Sequence, residues 1–296
     1  MSTLAASPAS AVAGQLQRPR PTGWRRWRPV VLPVAGAVVA FAFLWPYLVM
    51  LLDALRPSSD VVTTPTTILP REWKLSTFAE VLGDERFLNW LKTSLLVAVS
   101  STVIVILVAV PAAYFTARFR FPGRIAFLFL VLVTQMFSPT SLVVGLYREF
   151  FQFSLVNTYL SIILTNAAFN MAFAIWILHG FFASIPKEVE EAAELDGCGT
   201  VKRLLRIMLP LTLPGIVTAT IFTFIAAWNE YVVALTLMHD DARKPLTVGI
   251  NSYVTGYEQH WDQLFAASLI AIVPVVVLFA VIEKHLVGGL TAGSVK

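Results

Sequence analysis

Charge is scarce in this chain. Only 14% of its 296 residues are Asp, Glu, Lys or Arg, and 57% are hydrophobic. A soluble domain carries about 25% charged residues. So little charge cannot coat a water-soluble surface of this size, which excludes a soluble globular enzyme. Cysteine is scarcer still. The single Cys198 cannot form an intrachain disulfide, and no metal-ligand spacing surrounds it, so neither a disulfide framework nor a metal site is expected. No glycine precedes a lysine. The phosphate loop G-x-x-x-x-G-K-[ST] is therefore absent, and the chain is expected to lack an ATPase site of its own. His179, His239, His260 and His285 are scattered, with no acid, base or nucleophile set to make a catalytic centre. No cofactor is expected. The net charge of +4 does not argue for nucleic acid, because the basic residues cluster beside apolar runs, as they do in membrane proteins.

Long apolar runs are abundant. Six lie near residues 29–52, 91–117, 124–146, 158–182, 211–238 and 263–283. Each has at least the roughly 20 residues a helix needs to cross about 30 Å of hydrocarbon. The backbone must satisfy its own hydrogen bonds there, so each is expected to be helical. The expected fold is all-α: a polytopic membrane protein with six transmembrane helices. The first run is too long for the apolar part of a secretion signal and is read as a retained span. Residues 1–28, rich in Ala, Ser, Pro and Arg, form an expected disordered basic arm. Residues 29–286 are expected to form the six-helix transmembrane domain and 287–296 a tail. Most of the 22 basic residues fall on one side if the N-terminus is cytoplasmic, so both termini are expected in the cytoplasm of a multi-pass inner-membrane protein. Pro33, Pro46, Pro111, Pro139, Pro214 and Pro274 lie inside these runs, where each removes a backbone donor and can kink its helix.

The loop at 183–210 is polar enough to leave the bilayer yet reads as a helical hairpin. Pro186 suits a first helical turn. Glu188, Glu190 and Glu191 crowd the N-terminal end, where the helix dipole favours negative charge. Gly197 suits a left-handed helix end, and Thr200 is expected to cap a second short helix. Lys202, Arg203 and Arg206 are expected to face water or head groups, with Leu204, Leu205, Ile207 and Met208 against the membrane. Ala192 and Ala193 are small enough to let another protein approach closely; the alternative from the residues alone is an amphipathic surface helix with no partner.

This loop resembles the cytoplasmic signature of importer-type ABC permeases, EAA, three residues, G, nine residues, I-x-L-P. Here it runs Glu191-Ala192-Ala193, Gly197, Ile207, Leu209-Pro210, with every fixed position and both gaps intact. The resemblance implies a type I importer permease fold in which the loop is a coupling helix docked on a cytoplasmic ATPase. Trp228-Asn229-Glu230 looks like the Trp-Asn-Glu or Trp-Asn-Asp of carbohydrate-importer permeases. The tail around Thr291, Ala292 and Gly293 resembles the maltose-type tail that contacts the ATPase subunits. The implied assembly has a second related permease, two ATPase copies, an extracytoplasmic solute-binding protein and a sugar-like solute.

Polar groups within the spans are the candidates for a translocation path. Glu230 beside Asn229 lies in an apolar run, where an acid needs a partner or a wet cavity. A structural hydrogen-bonding role is weighed equally. Trp228 has a face on which a sugar can stack, although tryptophan is also common at membrane interfaces. Asn166 and Asn170 lie one turn apart on the fourth run. The alternative is a secondary transporter driven by an ion gradient, with Glu230 as its proton or cation site. Such proteins often carry internal repeats, and no duplication relates the halves of this chain.

Overall fold

The computed structural model describes residues 23–61, 69–254 and 259–291, with side chains between residues 30 and 281. Among the described residues there is no named strand. In chain order the helices are α1 (Gly23–Ala54), α2 (Ser58–Val61), α3 (Thr77–Gly83), α4 (Glu85–Arg118), α5 (Arg124–Thr134), α6 (Pro139–Gln152) and α7 (Tyr159–Ser184). There follow α8 (Lys187–Leu195), α9 (Thr200–Arg203), α10 (Leu209–Leu211), α11 (Leu213–Trp228), α12 (Val232–Leu237), α13 (Leu246–Gly249) and α14 (Trp261–Thr291). α1 starts at Gly23, within the stretch expected to be an arm, and α14 continues through Thr291, past residue 286. Residues 1–22 of the arm and the tail residues Ala292 and Gly293 lie outside the described residues, as does the side chain of Thr291.

Two units divide the chain, Met1–Leu48 and Val49–Lys296. In the first, Val30 to Leu48 of α1 presents exposed apolar residues on all sides, as a helix does when hydrocarbon or another chain surrounds it. The second unit is built on α4, α7 and α11. Val105, Ala109, Ala113 and Tyr114 of α4 pack with Ala167, Ala174, Ile175, Leu178 and Phe182 of α7 and Ala219 of α11. Small residues at such contacts let helix backbones approach within the bilayer. Ser101 Oγ donates to Ile163 O across the α4–α7 contact at 3.2 Å.

Four helices are continuous spans by length and composition: residues 30–54, 85–118, 159–184 and 261–281. The third and fifth runs differ from the expectation of unbroken helices. α5 and α6 meet at a 96° bend, and the segment Thr200–Leu211 meets α11 at 78°. Six crossings result only if each bent pair is one span. The cause is local. Pro139 enters α6 at its first position, where the missing N–H is unneeded, so the helix restarts there instead of continuing from α5. Pro111 and Pro274, by contrast, sit inside continuous α4 and α14.

A polar clasp closes the end of the bundle away from α8. Lys74 Nζ bonds Glu80 Oε2 at 2.8 Å and Asp262 Oδ2 at 2.9 Å, and Ser58 also bonds Asp262. The bonds from Lys74 and Ser76 hold the Glu80 carboxyl below its usual range. For Lys74, burial opposes the charge, but the bonds to Glu80 and Asp262 outweigh it and raise the ammonium above its usual value. A depressed carboxyl stabilises above its unfolded pKa and loses that contribution as pH falls through the folded value. The protection factors of the Thr77–Gly83 amides, that is their exchange rates relative to the unprotected rate at the same pH, are therefore expected to fall below about pH 4 and to stay flat from neutral pH to about pH 9, since Lys74 remains charged throughout.

Candidate functional site

The hairpin folds as its residues dictate. α8 ends at Leu195, and Gly197 adopts φ +75°, a left-handed conformation that glycine reaches without a Cβ penalty. Cys198 N donates to Ala193 O at 2.9 Å and Gly197 N to Glu194 O at 3.0 Å. These are the two bonds of a Schellman helix end, which satisfy carbonyls the last turn leaves open. α9 then starts at Thr200, with Gly199 at the cap position expected for Thr200.

The Ile207-x-Leu209-Pro210 part of the signature shapes the return into the bilayer. Leu204–Met208 forms a π turn, and Leu209 N donates to Leu204 O, five residues back. Pro210 has no N–H to give to Arg206 O, so the wider register costs nothing at that position. Thr212 Oγ1 then bonds Met208 O at 2.8 Å, and α11 departs at the 78° bend.

Exposure divides the signature in two. Glu191, Ala192 and Gly197 are exposed, and the neighbouring Leu195 is 90% exposed. Ala193 is buried and Ile207 and Leu209 are half-buried, so these positions pack the hairpin onto the bundle. The outward face is thus a short stretch of small, acidic and apolar residues with no partner among the described residues.

What holds the hairpin to the bundle was not read from the sequence. Arg203, expected to face water, is buried. Its Nε donates to Tyr114 Oη of α4 at 3.1 Å, and Nη1 bonds Glu194. Arg118, at the end of α4, donates from Nη2 to Ile185 O at 2.8 Å and pairs through Nε with Glu190 Oε1 at 3.5 Å. The correction for Arg203 has a plain cause: an arginine followed by Leu-Leu reads as a surface charge unless the approaching tyrosine and glutamate are known. Burial weakens the Arg203 charge, but the bonds to Tyr114 and Glu194 outweigh it and keep the guanidinium protonated. Met208 is fully buried, while Leu205 is exposed.

The candidate path residues fall in two places. Asn166 and Asn170 lie on α7. Asn166 is buried and bonds Ile162 O at 3.1 Å, and Asn170, half-buried, bonds Asn166 O at 2.8 Å. Trp228 ends α11, buried, with Nε1 donating to Ala271 O of α14 at 3.2 Å and its ring stacked on Phe224. Asn229 is exposed at the α11–α12 break. Glu230 spends its carboxylate on the backbone: Oε1 accepts from Val233 N at 2.7 Å and Oε2 from Ala234 N at 2.9 Å. No hydrogen bond joins the α7 pair to the α11 group among the described residues. Trp228→Phe is expected to cost about 1 kcal/mol by losing one buried hydrogen bond. Thermal unfolding of the purified chain in detergent measures it.

A helical bundle with long apolar spans, two of them broken, and a polar hairpin at one end defines a multi-pass membrane protein. Residues 91–291 match the family described as "Binding-protein-dependent transport system inner membrane component", and the chain belongs to that family. It is 31% identical over 255 residues to the inner membrane ABC transporter permease protein YcjP of Escherichia coli, covering 86% of this chain and 91% of that protein. It is 31% identical over 263 residues to the sulfoquinovosyl glycerol transport system permease protein SmoH of Agrobacterium fabrum, covering 89% and 92%. It is also 31% identical over 271 residues to the trehalose/maltose transport system permease protein MalG of Thermococcus litoralis, covering 90% and 96%. The fold matches a chain of a bacterial ABC transporter involved in the import of alginate, with TM-score 0.76 at 23% identity over 90% of this chain and 99% of that one. The protein is a multi-pass inner-membrane permease subunit of an ABC importer and not itself an enzyme. The gradient-driven alternative gives way to this reading.

Proposed function

We propose that this permease carries a sugar or a related polyhydroxylated solute inward by alternating access. It works with a second related permease, two copies of a cytoplasmic ATPase and an extracytoplasmic solute-binding protein. The hairpin of α8 and α9, with Glu191, Ala192 and Gly197 outward, is the surface that meets the ATPase, and both termini lie on that cytoplasmic side. The tail at Thr291, Ala292 and Gly293 makes a further ATPase contact. The observation that carries the reading is the hairpin itself: an intact signature whose outward half is unpartnered and whose inward half is tied to α4 by two buried arginines. ATPase closure that moves the hairpin therefore moves α4, and the linkage is reciprocal.

Support for a sugar comes from the relatives, whose names include sulfoquinovosyl glycerol, diacetylchitobiose and trehalose/maltose. Asn166 and Asn170, with Asn229 at the α11–α12 break, are the path groups of this chain, whereas Trp228 and Glu230 support the helices that frame it. The test is co-expression with the neighbouring genes, purification through this chain, and an ATPase assay with the binding protein and a panel of disaccharides. Recovery of an ATPase and second permease, with hydrolysis stimulated by one sugar, is expected. A chain that purifies alone, or hydrolysis indifferent to every sugar, would count against the assignment.

A further inference from the structure

The turn between α4 and α5 holds two arginines that the coupling hairpin does not use, and its backbone dictates where they lie. Phe119 leaves α4 extended, with φ −97° and ψ 139°, and side chains of extended chain alternate in direction. Phe119 and Phe121 both turn onto Phe115, with ring centroids 4.9 Å and 5.2 Å away. Arg120, between them, is left on the other side and is exposed. Pro122 and Gly123 then reverse the chain. Gly123 has φ +90° and ψ −2°, and Arg124 N donates to Phe121 O at 3.3 Å, which is the geometry of a type II turn. The reversal brings Arg124, the first residue of α5, to the same cavity as Arg120.

That cavity has a volume of about 700 Å³, and Arg120, Phe121, Arg124, Ile125 and Leu128 are among its walls. Neither arginine makes a hydrogen bond through its side chain or an ion pair among the described residues. Arg124 is half-buried and lies within electrostatic range of His179 on α7, another base. Arg118, two residues before Arg120, is by contrast paired with Glu190. Ile125 is 84% exposed, Phe129 66% and Leu130 60%, so apolar surface that needs hydrocarbon begins directly after Arg124. The two arginines therefore sit at the level of the lipid head groups. A guanidinium is a planar fork that matches phosphate oxygens, and the apolar wall beside it leads on into hydrocarbon. A ligand that fits both ends carries a phosphate head and an apolar chain. An acidic side chain of a protein partner would satisfy the arginines but not the apolar wall. Two cations without an acid also favour a head of net negative charge over one that brings its own ammonium.

We propose that the cavity at the α4–α5 turn is a binding site for an anionic phospholipid. Arg120 and Arg124 hold its phosphate, and an acyl chain runs along Ile125 and Leu128. The site rests on the importer reading only for its side of the membrane, the cytoplasmic leaflet. Bound lipid braces the turn that follows Arg118, the hairpin's anchor on α4.

The experiment uses the complete transporter in phosphatidylcholine nanodiscs containing a trace of photoactivatable phosphatidylglycerol or phosphatidylcholine. Crosslinks within residues 119–130 are quantified by mass spectrometry. The phosphatidylglycerol probe is expected to label the wild type and Arg206→Gln alike, since Arg206 is an exposed cation of the hairpin outside the cavity. Arg120→Gln and Arg124→Gln should each lower labelling about fivefold, the loss expected for one arginine near an anionic head group. Leu128→Trp keeps both charges but fills the apolar wall, and should lower labelling by a similar factor. It decides the matter if an arginine variant fails to insert. Labelling that ignores these substitutions would overturn the site and leave only lipid that surrounds the whole bundle. Equal labelling by the two probes would overturn the selection for negative charge. Displacement by inorganic phosphate, but not by chloride at equal ionic strength, would overturn the lipid and assign the cavity to free phosphate. No labelling by either probe would overturn it in favour of a protein partner. None of these readouts needs a sugar or ATP hydrolysis, so the site stands or falls apart from the importer reading.

Discussion

Replacing Gly197 with proline is expected to leave the chain inserted in the membrane but unable to hold its ATPase. The native φ of +75° lies far from the −65° that the proline ring imposes, and proline also deletes the N–H that bonds Glu194 O. A proline forced into an incompatible backbone costs roughly 3 kcal/mol or more, equivalent to about a hundredfold in an equilibrium. Gly197→Ala keeps the N–H and pays only the left-handed penalty of roughly 1–2 kcal/mol. ATPase co-purification should thus fall in the order wild type, alanine, proline, by about tenfold and then about a hundredfold. Equal retention in all three would show that the hairpin turn does not set docking. Because nothing lies within 4 Å of a Cβ built at Gly197, the alanine effect would be conformational and not a clash.

Arg118→Ala should act at the next link, between the hairpin and α4. The Arg118 side chain is 5% exposed and Glu190 14%, so the substitution strands a largely buried carboxylate and frees the Ile185 carbonyl. Breaking a buried ion pair by removing one partner costs about 3–5 kcal/mol. The low end applies here, since Arg118 Nε and Glu190 Oε1 are in charge contact at 3.5 Å without meeting the geometry of a hydrogen bond. The expected phenotype is uncoupling. The outward face of α8 still binds the ATPase, but uptake per ATP hydrolysed falls at least tenfold. Arg118→Ala combined with Glu190→Gln removes both charges and should recover part of the loss, because an unpaired buried charge is the larger cost. If uptake and hydrolysis fell in proportion, the Arg118 contact would be a folding contact and not part of the linkage.

Most of the architecture was legible in the residues because a bilayer leaves few choices. A run such as 158–182 must be helical, and α7 spans Tyr159–Ser184. The hairpin was equally legible, since Pro186, Gly197 and the glutamates act through local rules of helix start and stop. Less was legible where a side chain has two plausible surroundings. Trp228 is buried against α14 and Glu230 caps α12. Both roles depend on helices far away or on a break that the apolar run conceals. The bend before Pro139 was hidden for the same reason, because Pro111 within an equally apolar run leaves α4 unbroken.

Composition and short-range pattern alone determined that this is a helical membrane protein with a polar hairpin, since hydrocarbon forbids unpaired backbone and the helix-end rules act within a few residues. Only the tertiary structure decided that Arg203 and Arg118 are buried fastenings, that Ala193 faces inward while Leu195 faces out, and that the third apolar run breaks at residues 135–138. Those outcomes depend on which neighbour reaches each side chain, and in a low-dielectric interior that neighbour sets whether a charge or a hydroxyl is an anchor or an exposed group.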